Sequence, residues 1–261
     1  MNDGCGDVLR RYDEVKSRIA AAAERSGRAP ERIYLVAVTK NASPSQVRTL
    51  HHAGHADFGE SRMQHFVRLA SQIEEYRARQ RDLHGDDTLP EAVRWHFIGH
   101  LQRNKARRVL ASARLTHSID SLRLAEEIQR AHVDEESPAE VLVQVNVSGE
   151  RSKHGVAPAA AQHLVDQIHT MLGVRVRGLM CMAPKADNPE DARPVFSRAW
   201  ELFEDIRRTA PSSFDLLSMG MSNDYEVAIE CGANIVRVGT AIFGTAEENS
   251  AALAEPVEET A

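Results

Sequence analysis

Cysteine is scarce in this chain. There are three, Cys5, Cys181 and Cys231, far apart and with no CxxC pair. That spacing argues against a disulfide framework and against a structural zinc site, and all three are expected to be reduced. Cys181 sits in an apolar run and is expected to pack as a small core residue. Aromatic residues make up 5% of the chain, with only four tyrosines. No apolar run approaches the roughly 20 residues that span a bilayer. The first residues, MNDGCGDVLRRYDEV, lack the apolar core of a secretory leader. The expected location is therefore cytoplasmic. Positive charge is not in excess either: the net charge is −6. A general attraction to nucleic acid or anionic lipid is not expected.

What is present is alternation. Val8, Tyr12, Val15, Ile19 and Ala23 recur at helical spacing within 7–26, and Gly27 and Pro30 stop that helix. IYLVAVT (33–39) is almost wholly apolar and β-branched, as suits a parallel strand buried on both faces. Further strands are expected at ADFG (56–59), WHFIG (95–99), LTHSI (115–119), VLVQVNV (141–147), VRGLMCM (176–182), FDLLS (214–218) and NIVRVG (234–239). Helices fall between them: Ser43–His52, Ser61–Tyr76, Gln102–Leu110, one capped by Asp120-Ser121, one after Pro158, Pro189–Thr209 and Asn223–Cys231. Eight strand–helix units in 261 residues predict a single TIM-type (β/α)8 barrel with an extra N-terminal helix. One domain is expected over 1–261, with its core at about 7–245. An open doubly wound sheet is the runner-up, weakened because no GxGxxG turn follows the first strand. The polar segment 77–93 reads as a mobile loop, and the acidic last dozen residues as a frayed end.

Several residues could carry chemistry. Lys40 follows the first strand, at the end of a parallel barrel where function resides. Partial desolvation there would free its amine as a nucleophile; alternatively it is a lysine snorkelling from a strand end. VRVGTAIFG (236–244) places Gly239 and Thr240 at the eighth strand end, before a short helical turn. SMGMSNDYE (218–226) supplies a glycine loop, with Met221 and Ser222 at the start of a helix. Two such adjacent loops could cradle a phosphate, or be turns and an N-cap alone. Met180 and Met182 alternate as core or as cavity wall. His51, His52 and His55 read as a solvated helix end rather than a metal site. His96 and His100 have no obvious carboxylate beside them, so a hydrolytic metal site is not expected. Arg103, Lys105, Arg107 and Arg108 read as a solvated helix face rather than a nucleic-acid patch.

LVAVTK (35–40), FGESRMQ (58–64), WHFIGHLQRNK (95–105), VLVQVNVSGERSKHG (141–155), GLMCM (178–182), LSMGMSND (217–224) and VRVGTAIFG (236–244) occur in this order. With these motifs the chain resembles the pyridoxal-phosphate homeostasis family, of the YggS/PROSC type, over roughly residues 7–245. That family is similar to the barrel domain of alanine racemase without its second domain. The resemblance implies pyridoxal 5′-phosphate (PLP) as cofactor, held as a Schiff base on Lys40. It implies that Ser222 and the backbone of Met221, Gly239 and Thr240 bind the phosphate, and that Arg237 faces the pyridine nitrogen. Ser61 stands where the family usually has Asn, beside the cofactor ring, and TKNASP replaces a run such as SKTKP.

The chemistry agrees with a holder more than a catalyst. An arginine can only donate hydrogen bonds. Beside the pyridine nitrogen it favours the unprotonated ring, a weaker electron sink. Racemisation also needs acid–base groups on both faces of the substrate, and no second one is evident. The resemblance thus implies a role in vitamin B6 homeostasis without turnover, in a monomer that could pass cofactor to apo-forms of PLP-dependent enzymes. A PLP-dependent amino-acid racemase is the alternative, and an interaction scaffold with a vestigial site is a third reading.

Overall fold

An apolar run with almost no polar position has nowhere to put a wet face. Residues 34–38 accordingly form a strand covered on both sides, β1 (Tyr34–Val38). In the computed structural model, which describes residues 5–84, 90–133, 135–150 and 153–245, seven more strands follow. They are β2 (Asp57–Glu60), β3 (Arg94–Phe97), β4 (Ala113–Ile119), β5 (Ala139–Gln144), β6 (Val174–Met180), β7 (Leu216–Ser218) and β8 (Ile235–Val238). Each pairs in parallel with the next, and β8 returns to β1 with Tyr34 opposite Ile235 and Ala37 opposite Val238. The sheet is a closed barrel, so no strand edge is left unpaired.

The helices are α1 (Cys5–Arg25), α2 (Pro44–His52), α3 (Met63–His84), α4 (Ala106–Leu110), α5 (Leu122–His132), α6 (Pro158–His169), α7 (Arg193–Arg207), α8 (Tyr225–Glu230) and the single turn α9 (Thr240–Phe243). None is long and apolar enough to cross a membrane, among the described residues. The Ser43 expectation holds in full: Ser43 Oγ accepts from Gln46 N while Gln46 Oε1 accepts from Ser43 N, a reciprocal cap for α2. Ser121 does stand before α5, but it makes no side-chain cap, and its hydroxyl donates to Asp120 instead.

Two apolar layers result. The larger lies between strands and helices and contains Cys181, whose thiol burial pushes up to about 12. The smaller fills the lumen, with Val36, Leu115, Leu142, Met180 and Ile235 pointing inward. Helix α1 buries Val8, Tyr12, Val15, Ile19 and Ala23. It packs against α2, α8 and α9, across the seam where the first and last strands meet.

Two expectations are corrected. Residues 77–84 are not loop but the last turns of α3; residues 85–89 lie outside the described residues. Arg77 explains the continuation. Its guanidinium is buried and donates to His51 Nε2 at 2.5 Å and to the carbonyls of Pro90 and Glu91. A run of Arg, Gln and Ala is also good helix material. His51 and His55, expected in solvent, are buried. His51 Nδ1–H donates to His55 O, and His55 lies between the Tyr12 hydroxyl and Asp57 O. Burial pushes His55 down to about 4. Only His52 is exposed, bonded to the Tyr76 hydroxyl. The basic cluster does lie largely in solvent, with Arg103, Arg107 and Arg108 exposed.

Candidate functional site

The segments that follow β1, β2, β3, β6, β7 and β8 surround a cavity of about 860 Å³. All seven residues nominated from the sequence line it: Lys40, Ser61, Met221, Ser222, Arg237, Gly239 and Thr240. Met182 and Ile98 supply apolar wall, while Met180, two residues earlier, is sealed in the lumen.

Lys40 occupies the turn after β1 and is exposed. The expected desolvation is therefore not what this lysine experiences. Its position is nevertheless held firmly. Thr39 is fully buried and donates through its N–H and hydroxyl to Gly59 O. Lys40 O accepts from Arg62 at 2.7 Å. Both neighbours are organised by Glu60, a fully buried carboxylate at the end of β2. Glu60 accepts from Ser61 N at 2.7 Å, Arg62 N at 2.9 Å, the Ser61 and Thr39 hydroxyls, and His65. The backbone also crowds here: a Cβ on Gly99 would lie 1.9 Å from Ser61 O. Ser61 is thus locked at the rim by its own backbone.

Across the cavity two loops meet. Ser222 lies in a turn just before α8 rather than at its first residue. Its Oγ accepts from Gly239 N at 3.2 Å and Ala241 N at 3.4 Å. Met221 N donates to Asp224 Oδ1 at 2.6 Å. Asp224, which the sequence reading passed over, is buried and lines the same cavity. Burial raises its carboxyl, against the Met221 hydrogen bond and the charge of Arg237, which lower it. Gly239 must stay small because a Cβ there would come 3.1 Å from Val38 O and 3.2 Å from Val38 Cβ. The loop is pressed against the end of β1, close to the turn that carries Lys40.

Arg237 closes the floor. It is 4% exposed and donates to Ser218 Oγ at 2.6 Å and Cys181 O at 3.0 Å. Ser218 in turn meets His117, which meets His96, which meets Asp57. This polar line through the lumen was not foreseen. His96 does have a carboxylate beside it, Asp57, which β2–β3 pairing brings to the neighbouring strand. His100 also has one: its Nδ1 is 3.5 Å from Asp120. Together with His154 these make a group of possible ligand atoms within 4.8 Å of one another. The His100 and His154 rings are stacked, however, with centroids 4.0 Å apart and planes at 13°. Lone pairs in parallel planes do not converge on one ion.

Comparison with known proteins adds four findings. A profile of the family described as "Alanine racemase, N-terminal domain" matches residues 11–247. A pyridoxal phosphate homeostasis protein of Aquifex aeolicus is 38% identical over 238 residues, 91% of this chain and 98% of that one. PipY of Synechococcus elongatus, solved with PLP bound, superposes with a TM-score of 0.70 at 30% identity, covering 87% of this chain and 100% of that one. An alanine racemase of Clostridium difficile shares the fold alone, with TM-score 0.66 at 12% identity, over 94% of this chain and 57% of that one.

Proposed function

The chain belongs to the pyridoxal phosphate homeostasis proteins, within the family of alanine racemase N-terminal domains, and from that premise we propose that it binds pyridoxal 5′-phosphate on Lys40 and holds it without turnover. The observation that carries this reading is the convergence of an exposed primary amine, a hydroxyl-and-glycine cradle and a buried guanidinium on one cavity. The residues fit the group. Gly239 packs tightly on Val38, which holds its backbone at the cavity edge. The Ser222 hydroxyl and the Thr240 N–H offer donors for a phosphate, and the Gly239 and Met221 N–H groups join them if they leave Ser222 Oγ and Asp224. Ser61 flanks the ring position. When bound, the group supplies an aldehyde that condenses with an amine and a pyridine nitrogen that accepts a hydrogen bond.

Arg237 is the residue that sets the character of the site. Burial lowers its pKa, but a guanidinium still cannot act as an acceptor or give up its proton. It stabilises a pyridine nitrogen that has no proton, the form less suited to stabilising a carbanion. Besides Lys40, the acid–base groups of the described lining are Lys185, Asp187 and Asp224, the last bonded to Met221 N. Tyr12, Tyr34, Tyr76 and Tyr225 all lie elsewhere. In this reading the protein is a cytoplasmic monomer that buffers a reactive aldehyde and releases it to apo-enzymes.

The test is borohydride reduction of the PLP-loaded chain followed by peptide mapping. One pyridoxyl group per chain on Lys40 is the expected result, lost in Lys40→Ala. Label scattered over surface lysines would overturn the assignment. In deuterium oxide, no α-hydrogen exchange is expected across a panel of amino acids; exchange would make the protein a racemase.

A further inference from the structure

Five polar groups cross the barrel interior in a single file. From the cavity floor downward they are Arg237 on β8, Ser218 on β7, His117 on β4, His96 on β3 and Asp57 on β2. The contacts are 2.6, 2.9, 2.9 and 3.0 Å in that order. Ser218 and His117 are wholly buried, His96 is 6% exposed and Arg237 4%. At the far end Asp57 takes two further hydrogen bonds from Arg94, at 2.9 and 2.7 Å.

The two ends fix the protons in between. Arg237 can only donate, so Ser218 Oγ accepts from it. The remaining partner of that hydroxyl is His117 Nδ1. If His117 also donated, the Ser218 proton would be buried with no acceptor, which costs the full desolvation of the group. Ser218 therefore donates to His117 Nδ1. The His117 proton must then sit on Nε2, from which it donates to His96 Nδ1. His96 carries its own proton on Nε2 and donates it to Asp57. Asp57 must be an anion to accept from Arg94 on both oxygens as well as from His96. Burial alone would raise its carboxyl, but the hydrogen bonds from Arg94 and His96 and the charge of Arg94 outweigh that and hold it well below the usual range. Burial, together with the charge of Arg237, lowers His117 as well and keeps it neutral. The count closes, with each link having one donor and one acceptor.

We propose that His117 and His96 are positioning residues of the cofactor site: a one-way donor chain, anchored on the Asp57–Arg94 pair at the strand-start end, that locks Ser218 as an acceptor and so fixes which edge of Arg237 faces the cavity. Neither histidine touches the cavity. Two of the five N–H groups of Arg237 point inward to Ser218 and Cys181 O, and the chain keeps them there. In consequence the guanidinium cannot swing to pair with Asp224, and its free edge stays available to a ring nitrogen. The chain also has no site for an extra proton, because both imidazole Nδ1 atoms are committed as acceptors. The part of this proposal that concerns the ring nitrogen rests on the PLP reading given above.

Long-range ¹H–¹⁵N NMR of the cofactor-free protein reads the chain directly. His96 and His117 are both expected as the Nε2–H tautomer at pH 7.5. An Nδ1–H tautomer or an imidazolium at either one overturns the chain. The link to the site is read by PLP titration of Ser218→Ala and Ser218→Thr. Losing the hydroxyl is expected to weaken binding about tenfold, the size of one buried hydrogen bond, and to abolish the single His117 tautomer. Ser218→Thr restores both. Unchanged affinity and tautomer in Ser218→Ala refute the positioning role. Should the wild-type chain fail to bind PLP at all, the functional reading fails while the tautomer measurement still judges the chain.

Discussion

The two ends of the barrel use charge in opposite ways. At the strand-start end, charges answer one another around the rim. Asp57 on β2 meets Arg94 on β3, and Glu140 on β5 takes Arg114 from β4 and Arg177 from β6, which also reaches Asp215 before β7. Parallel pairing puts Asp57 opposite Arg94 and Glu140 opposite Arg175, so neighbouring strands deliver opposite signs to one level. At the strand-finish end Lys40 is exposed, and Asp224 holds a backbone N–H. One end is arranged for stability and the other for a visitor. The lesson is that buried polarity in this lumen is not itself a sign of chemistry. The groups at the foot matter to function only through the line that ends on Arg237.

That contrast can be broken from below. Asp57→Ala leaves Arg94 and His96 without their shared carboxylate. It is expected to cost about 3 kcal/mol, because the buried His96 loses its acceptor while Arg94 is partly exposed. Urea unfolding measures it, and a loss below about 1 kcal/mol would mean that solvent replaces the carboxylate.

Acid gives the next largest effect. His55 titrates at about 4 in the folded chain against an ordinary value of 6.5. The unfolded chain takes up the proton first, so this stabilisation is complete above pH 6.5 and is lost as the pH falls. At about 1.4 kcal/mol per unit, His55 alone removes roughly 3 kcal/mol by pH 4. His117 shifts in the same direction and adds to it. Asp57 has linkage of the same sign in a lower window: its contribution is complete above the ordinary carboxylate range and drains away only below it. Denaturant midpoints at pH 7.5 and 4.5 measure the sum, and equal midpoints would contradict the burial of both histidines.

The smallest effect sharpens the contrast at the mouth. Ser222→Ala removes only two long contacts, at 3.2 and 3.4 Å. Stability is expected to change by less than about 1 kcal/mol while PLP affinity falls about tenfold. Calorimetric titration beside thermal unfolding separates the two. A large stability loss with unchanged affinity would put the phosphate elsewhere.

Much of the mouth was legible because it is local. Lys40 directly follows an apolar strand, Gly239-Thr240 follows another, and the Ser43–Gln46 cap is four residues long. The foot and the lumen were not legible, for a physical reason. His117 and Ser218 are 101 residues apart, and each alone fits an ordinary strand position. Nothing in their spacing announces that β4 and β7 face one another across the lumen. Arg77 and His51 escaped in the same way: a polar run looked like a loop because the partner that buries it belongs to another helix. The readings that failed were those that judged a residue by its immediate neighbours alone.

The clasp made by α1 has a consequence for how the chain is made. Its apolar face is covered by α8 and α9, and Arg18 reaches Glu226, 208 residues later. Arg28 donates to Ala233 O at 2.6 Å. This helix thus leaves the ribosome about 200 residues ahead of partners it packs on. At about 5–20 residues per second, the wait is on the order of 10 to 40 s. Throughout it the part of the apolar stripe that meets α8 and α9 lacks its cover. During synthesis that uncovered patch of α1 is a surface a chaperone would shield.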